Sequence, residues 1–286
     1  MREDRASTTA ITVAFARGFS GASTGKIRDP YAARLLPGLH ARLLRLLQQM
    51  VRGRPRIERV LARASVDMLP HAALRTDAID AAIDEGVARG ARQLVIVGAG
   101  LDARAYRLAS LSDVRVFEVD HPATQRLKLG KTSELSPIAE QVLHVAVDFG
   151  RDSLAEALDR AGHDAASATI FLWEGVTMYL PLDATRGTLD VLSMRSAPGS
   201  RLIVSYIEPR FSSLPEWLNP LVLRVFALVG EPMIGAIERA ALRDELARRG
   251  YSLVADTDSH EWLRTTAYGE SLAVHLSERV AVAERP

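Results

Sequence analysis

A glycine turn between two short apolar strands is the feature that most constrains this chain. The apolar run 95–97 breaks at Gly98 and Gly100, and the next apolar run ends at Asp120. Glycine tolerates the backbone angles of a tight turn and lets a ligand approach closely, while a carboxylate at the end of the next strand can accept hydrogen bonds from a ribose diol. Strand, turn, helix and acidic strand end, in this order, predict a site for a nucleoside cofactor.

The sequence around this turn alternates between strand and helix patterns. Short β-branched runs predict strands at 94–97, 114–119, 142–146, 169–173, 202–206, 253–255 and 273–282. Helical periods lie between most of them. The alternation predicts an α/β fold with a doubly wound, mainly parallel sheet of seven strands and helices on both faces. The short distance between the last two strands predicts an antiparallel edge hairpin.

Two segments depart from this alternation. Residues 1–90 contain Ala- and Leu-rich blocks broken by Gly and Pro, which predict an N-terminal helical cap in front of an α/β domain at 91–286. Residues 207–235, between the fifth and sixth strands, hold four prolines around an apolar helix. Connections of this length are usually functional, so we interpret the insertion as a lid over a binding pocket.

Composition limits the partners of the chain. Its 36 basic and 35 acidic residues leave a net charge of +1, which argues against nucleic acid or a membrane as a partner. The chain has no cysteine, which excludes thiol chemistry, and no signal-peptide pattern. Its seven histidines lack metal-ligand spacing. We therefore expect a cytoplasmic protein that holds no metal and acts on a small molecule.

Four segments of the sequence, two of which contain the glycine turn and Asp120, match the sequence pattern of a known protein family. They are Ala-Leu-Arg-Thr at 73–76, Gly-Ala-Gly-Leu-Asp-Ala-Arg-Ala-Tyr-Arg at 98–107, Phe-Glu-Val-Asp-His-Pro at 117–122 and Phe-Leu-Trp-Glu-Gly-Val-Thr-Met-Tyr-Leu at 171–180. With them, the chain resembles the leucine carboxyl methyltransferase family, in particular bacterial members that methylate polyketide-type small molecules. The resemblance runs from about residue 29 to 181. It implies a class I methyltransferase fold and S-adenosyl-L-methionine as the cofactor. Ala103 departs from the pattern, because the family commonly has threonine or serine there.

The resemblance implies cofactor roles for particular residues. Arg75 would pair with the cofactor carboxylate, Gly98 and Gly100 would lie beneath its methionine part, Asp120 would bind the ribose, Asp148 would lie near the adenine and Glu174 would hold the amino end. Other readings of the residues remain open: Asp120 suits a helix N-cap before Pro122, Arg75 suits a solvated helix face, and Asp148 suits a turn cap. Glu174 follows a buried strand, where a carboxylate needs a cationic partner.

The family resemblance predicts O-methylation of a carboxylate or hydroxyl group. Methyl transfer needs alignment and exclusion of water more than an elaborate catalytic set, and a carboxylate acceptor needs no general base. The candidates for a catalytic group are Tyr179 and His260. The apolar residues expected to line the acceptor pocket are Phe211, Trp217, Met233 and Trp262.

Two alternatives stay open at this point. The spacing of Gly98, Gly100 and Ala103 also satisfies the looser fingerprint of NAD(P)-dependent oxidoreductases. Against this reading, Asp102 and Glu174 would lie near a bound pyrophosphate, and no hydride-transfer set is evident. A noncatalytic cofactor-binding relative is the second alternative, although none of the cofactor residues is damaged.

Overall fold

A seven-stranded sheet forms the centre of the molecule. The computed structural model describes residues 8–23, 28–65, 68–212, 224, 233–264 and 276–286. The strands are β1 (Gln93–Val97), β2 (Arg115–Asp120), β3 (Gln141–Ala146), β4 (Thr169–Trp173), β5 (Arg201–Ser212), β6 (Ser252–Asp258) and β7 (Leu276–Glu284). They are arranged in the order β3-β2-β1-β4-β5-β7-β6. The predicted strands therefore all occur. Their bounds differ mainly at the ends of β5, β6 and β7, and residues 273–275 of the last predicted strand lie outside the described residues.

Strand directions confirm the predicted mainly parallel sheet. Strand β1 runs parallel to both β2 and β4, and β3 and β5 extend the parallel part on either side. The last strand, β7, is antiparallel to β5 and to β6, so it lies inside the sheet while β6 forms the edge. The strand order reverses between β1 and β4. Parallel α/β sheets bind ligands at the carboxyl ends of the strands that flank such a reversal.

Helices precede, connect and cover the strands. The helices before the sheet are α1 (Thr8–Phe19), α2 (Ala32–Leu35), α3 (Gly38–Val51), α4 (Pro55–Ala64) and α5 (Met68–Ala88). Those that follow are α6 (Arg104–Arg107), α7 (Pro122–Thr132), α8 (Leu154–Arg160), α9 (Leu182–Met194), α10 (Arg239–Arg248) and α11 (Ser259–Arg264), with short 3-10 helices at Ala109–Asp113 and Thr177–Tyr179. None of the described helices has the length and apolarity needed to cross a bilayer.

Separate apolar clusters cover the two sheet faces, as a doubly wound sheet requires. On one face, Ile79 and Ile83 of α5 pack with Ile96 of β1. On the other face, Phe117 and Trp173 pack with residues of α8, α9 and α10. A third cluster joins α1, α2 and α3 to the glycine loop. The division into a cap at 1–90 and a domain at 91–286 stays a prediction.

The predicted insertion at 207–235 begins inside a strand. Strand β5 continues to Ser212 and pairs with β7 across an irregular register, and residues 213–223 and 225–232 lie outside the described residues. At the other end, the N–H groups of Ile234 and Gly235 both donate to the carbonyl of Met178 at 2.9 Å. A side chain at Gly235 would overlap the carbonyl oxygen of Thr177. The insertion is therefore anchored to the segment that follows β4, and its action as a lid stays a prediction.

Gly86 provides a test of the packing between α5 and the sheet. A Cβ atom on Gly86 would lie 2.7 Å from Cδ1 of Ile170, a fully buried residue of β4. We expect Gly86→Ala to lower the free energy of unfolding by about 1–3 kcal/mol through overpacking, although alanine favours helices more than glycine does. Urea unfolding followed by circular dichroism measures the change.

The matched control is Gly187→Ala in α9, where no atom lies within 4 Å of the added Cβ. We expect this variant to gain up to about 1 kcal/mol of unfolding free energy from helix propensity alone. If Gly86→Ala were as stable as Gly187→Ala, close packing at this position would be contradicted.

Candidate functional site

The loop after β1 folds back over the end of β2. Gly98 and Gly100 have φ angles of +75° and +50°, in the left-handed region that favours glycine. The N–H groups of Gly98 and Ala99 both donate to the carbonyl of Val119 at 2.9 Å. A Cβ atom on Gly98 would lie 2.6 Å from Cγ2 of Val176. The backbone angles of the loop therefore favour glycine at both positions, and the contact with Val176 also leaves no space for a side chain at Gly98.

Asp120 joins this loop to the end of β2. Its Oδ2 accepts a hydrogen bond from the N–H of Gly100, and its Oδ1 accepts one from the N–H of His121 at 2.6 Å. Burial raises the pKa of Asp120 against the effect of these hydrogen bonds. The interpretation of Asp120 as a helix N-cap is wrong, because the cap of α7 is His121, whose Nδ1 accepts from the N–H of Ala123. The Asp120 carboxylate keeps further lone pairs for a ligand.

Glu174, at the carboxyl end of β4, is held by two arginines. Arg75 of α5 donates from Nε to Glu174 Oε1 at 2.9 Å, and Arg104 of α6 donates from Nη1 to Oε2 at 2.8 Å. Burial raises the pKa of Glu174, but Arg104 and Arg75 outweigh it and lower the pKa below its ordinary value. Arg75 is 5% exposed, so its interpretation as a solvated helix residue is wrong.

Arg75 also reaches the last strand of the sheet. Its Nη1 donates to Glu278 Oε2 at 2.6 Å, and Nε2 of His71 lies 2.8 Å from the same oxygen. Burial raises the pKa of Glu278, but Arg75 and a hydrogen bond from His71 outweigh it, and the pKa falls to about 2. Buried ion pairs of Arg75 thus link α5 to the carboxyl end of β4 and to β7.

Arg104 extends the same network toward the glycine loop. This fully buried residue bonds to Asp80 from Nε at 2.6 Å and to both oxygens of Asp102 through its own N–H and Nη1. Burial opposes ionisation of Asp102, but Arg104 lowers its pKa well below the ordinary value. Arg107 is the second arginine on Asp80.

The carboxylates of this network outnumber its guanidinium groups. Four carboxylates face three guanidinium groups, with His71 as a further partner of Glu278: Asp80, Asp102, Glu174 and Glu278 against Arg75, Arg104 and Arg107. Nη2 of Arg104 is buried without a hydrogen-bond partner. The site therefore combines more carboxylates than guanidinium groups with an unused donor, which suits a ligand that carries both a cation and a carboxylate.

Several members of this network were given no role by sequence reasoning, among them Arg104, Glu278 and His71. Arg104 lies within the family segment at 98–107, and its position between two alanines was an available signal of burial. The sequence around Glu278 and His71 gave no sign of their role, since each contacts a residue more than 200 positions away in the sequence.

Comparison with known proteins agrees with this geometry. The family model of leucine carboxyl methyltransferases matches residues 10–193, which is more than half of the chain. The chain belongs to this family. The match includes the glycine loop, Asp120, Arg75 and Glu174 and ends in α9.

Relatives carry a consistent name. A protein of Mycolicibacterium smegmatis named "Putative S-adenosyl-L-methionine-dependent methyltransferase" is 37% identical over 201 residues, which cover 69% of this chain and 64% of that protein. A protein of Streptomyces coelicolor with a name of the same kind is 40% identical over 130 residues, covering 45% of this chain and 46% of its own. These matches thus cover less than two thirds of either relative's length.

A solved structure shares the whole fold. The crystal structure of a DUF574 family protein from Streptomyces avermitilis covers 98% of both chains with a TM-score of 0.62 at 17% identity. At this identity the likeness concerns the fold alone. The helices before the sheet and the antiparallel end of the sheet therefore belong to an architecture found in a second protein.

Asp148 follows β3 and organises the turn there. Its Oδ1 accepts from the N–H of Gly150 at 3.0 Å, and its own N–H donates to Asp152 at 2.8 Å. Its side chain is one-third exposed. The preceding residue, Val147, donates its N–H to the carbonyl of Asp120 at 2.9 Å. The turn-cap interpretation therefore describes its contacts, and its role beside the adenine stays a prediction.

The predicted pocket and catalytic residues lie in different surroundings. Met233 packs with Tyr179, Met178 and Ile207 near the carboxyl end of β4. Trp262 is buried in the core, with Nε1 donating to the Thr257 hydroxyl, and His260 is exposed at the start of α11. Trp217 and the side chain of Phe211 lie outside the described residues. The pocket assignments stay predictions.

The low pKa of Glu278 makes part of the stability dependent on pH. Because its pKa falls from 4.5 to about 2 on folding, the ionised carboxylate stabilises the folded state above pH 4.5, and this contribution is lost as the pH falls toward 2. The size is about 3 kcal/mol. We expect Glu278→Gln to lower the free energy of unfolding by this amount at pH 7, with the difference from wild type narrowing below pH 4.5. Urea unfolding at several pH values measures it.

Glu156→Gln is the matched control, since Glu156 is an exposed glutamate of α8. Its effect should stay below about 0.5 kcal/mol at every pH. A difference between Glu278→Gln and wild type that stayed constant from pH 7 to pH 3 would contradict the role assigned to the ionised carboxylate.

Proposed function

We propose that this protein is a methyltransferase that uses S-adenosyl-L-methionine. The observation that carries the proposal is the pairing of the Gly100 N–H with the Asp120 carboxylate at the carboxyl ends of β1 and β2. This pairing places an acidic acceptor beside the glycine loop, at the edge of the sheet where parallel α/β proteins bind nucleosides. Family membership and the names of the relatives favour methyl transfer over the oxidoreductase and noncatalytic alternatives.

The residues present fit this cofactor. The remaining lone pairs of Asp120 can accept the ribose hydroxyls, and we assign the methionine part to the backbone of the loop at Gly98 and Gly100. The Nη2 atom of Arg75 lies on the side of Gly175, whose added Cβ would be 3.9 Å from it. We assign this edge of the guanidinium, together with the unused Nη2 of Arg104, to the cofactor carboxylate.

The charge of the network also supports this cofactor. The network has one more carboxylate than guanidinium groups among its ion-paired members, and Asp120 adds another carboxylate nearby. A sulfonium cation is attracted by such surroundings, whereas the pyrophosphate of a dinucleotide would be repelled. Glu174 contributes the carboxylate that would face the amino group of the cofactor.

For the acceptor, we propose a carboxylate or hydroxyl oxygen of a small molecule of the polyketide type. Tyr179 and Met233 form an apolar cluster with Met178 after the Glu174 strand end, which supports their assignment to the acceptor side. Tyr179 is the better placed of the two catalytic candidates, because His260 is exposed on α11. Trp217, Phe211 and Trp262 complete the proposed walls of the pocket.

The chain's own part in the reaction is alignment and shielding. The bound cofactor supplies a methyl group already activated by its sulfonium. Asp120 and the glycine loop would hold the nucleoside end of the cofactor, and Arg75, Arg104 and Glu174 would hold its amino-acid end. Binding at both ends would fix the orientation of the methyl group toward the acceptor oxygen. The apolar residues around Met178 keep water from that oxygen. An in-line displacement gains most of its acceleration from such positioning.

Asp120→Asn tests the cofactor assignment. The substitution keeps the size of the side chain but removes its charge and places an amide beside two backbone N–H donors. We expect the affinity for S-adenosylhomocysteine to fall at least tenfold, about 1.5 kcal/mol, the scale of a hydrogen bond to a charged group. Isothermal titration calorimetry of the wild type with S-adenosylmethionine, S-adenosylhomocysteine, NAD and NADP provides the reference.

Asp113→Asn, at an exposed position before β2, is the matched control and should bind as the wild type does. Binding of the nicotinamide cofactors alone would overturn the proposal. Binding of none of the four by a folded wild type would favour a noncatalytic relative.

A further inference from the structure

Helix α3 carries a second apolar face that points away from the protein. Its inner face packs through Ala41, Leu44 and Val51 onto α1 and α2. On the opposite side, four large apolar residues have exposed fractions between 41% and 76%: Leu39, Leu43, Leu46 and Met50. Their spacing of three or four positions places them in one stripe along the helix. An exposed stripe of this kind marks an interaction surface.

Helix α4 also exposes apolar residues on its surface. Ile57 and Val60 of α4 are also exposed, at positions three residues apart. A short turn at Arg52–Arg54 joins the two helices, and Gly53 takes a φ of +69° there. We call the exposed side of α3 and α4 the apolar–basic face.

Arginines surround these apolar residues. Between residues 38 and 62 the sequence has six arginines, all exposed, and a single acidic residue: Arg42, Arg45, Arg52, Arg54, Arg56 and Arg59 against Glu58. Glu58 turns inward, where its two oxygens accept from the N–H groups of Gly21 at 2.7 Å and Ser23 at 3.0 Å. Six arginines less one glutamate give this segment a charge of +5, so the remainder of the chain carries −4 of the total +1.

A basic groove lies beside the stripe. It has a volume of about 320 Å³, and its cationic lining residues are Arg34, Arg45 and Lys131. Glu134, which follows α7, is its acidic lining residue. Arg45 belongs to both the groove and α3. A concave site with three cations next to an apolar surface matches a phosphate headgroup attached to acyl chains.

We propose that the apolar–basic face binds the surface of a bilayer that contains anionic phospholipids. The leucines and Met50 enter the boundary between headgroups and acyl chains, while the arginines and the groove contact headgroup phosphates. A second copy of the chain fits less well, because a symmetric pairing of this face would bring two sets of arginines together. The net charge of +1, which argued against a membrane as a partner, does not exclude binding through this surface, because the segment that forms it carries a charge of +5. The proposal is independent of the proposed methyl transfer.

Sedimentation of the full chain with vesicles tests the proposal. We expect binding to vesicles of phosphatidylglycerol and phosphatidylcholine, little binding to phosphatidylcholine alone, and release as the salt concentration rises from about 0.1 M to about 1 M. Leu43→Gln/Leu46→Gln and Arg42→Gln/Arg45→Gln should each weaken binding roughly tenfold or more, because they remove apolar area and surface charge respectively.

Matched variants on other surfaces control for general effects. Met194→Gln/Val254→Gln replaces two apolar residues that are also exposed, and Arg160→Gln/Arg248→Gln replaces two exposed arginines. Both should bind vesicles as the wild type does, and all variants should keep the unfolding midpoint of the wild type.

Three outcomes would overturn the proposal. One is a wild type that ignores anionic vesicles, and another is binding that Leu43→Gln/Leu46→Gln leaves unchanged. The third is light scattering that shows a wild-type dimer, converted to monomer by Leu43→Gln/Leu46→Gln, together with no vesicle binding. That result would assign the face to a second copy of the chain.

Discussion

The ion pairs of one buried arginine hold the elements of the site together. Arg104 bonds to Asp80 on α5, to Asp102 in the glycine loop and to Glu174 at the end of β4. A charge this deeply buried is costly unless it is paired and hydrogen-bonded, and removing one partner leaves the others uncompensated. The three elements therefore keep their relative positions because displacing any of them would leave a charge in the interior without its partner.

The helices before the sheet take part in the site as well as covering it. Ala10 of α1 lies against Gly100, so closely that a Cβ on the glycine would be 3.0 Å from the alanine Cβ. Arg17 of the same helix donates to the carbonyl of Leu101 at 2.8 Å. Helix α5 brings Arg75 to both β4 and β7. The site is thus assembled from the helices before the sheet together with strands as late in the chain as β7.

Much of the fold follows from local patterns. Short β-branched runs alternate with helical periods, and every predicted strand occurs. The central strands β1, β2 and β4 are the clearest case, because burial on both faces of a parallel sheet demands continuous apolar runs. The glycine turn and Asp120 could be predicted for the same reason: both depend on a few adjacent residues. The partners of Arg75 could not be, since one of them, Glu278, lies on the last strand, and alternation in a strand does not reveal which neighbour a side chain meets.

The sequence by itself determined the sheet, the glycine loop with its acidic strand end, and membership of a methyltransferase family, because these depend on local periodicity and on short segments. Only the tertiary structure decided which charges meet. It placed Arg104 among three carboxylates, turned Glu58 inward and left the arginines of α3 and α4 outside. A net charge is a sum over the chain and contains no positions, whereas electrostatic energy depends on distance and burial. The charged groups acquire their roles only when folding sets those two quantities.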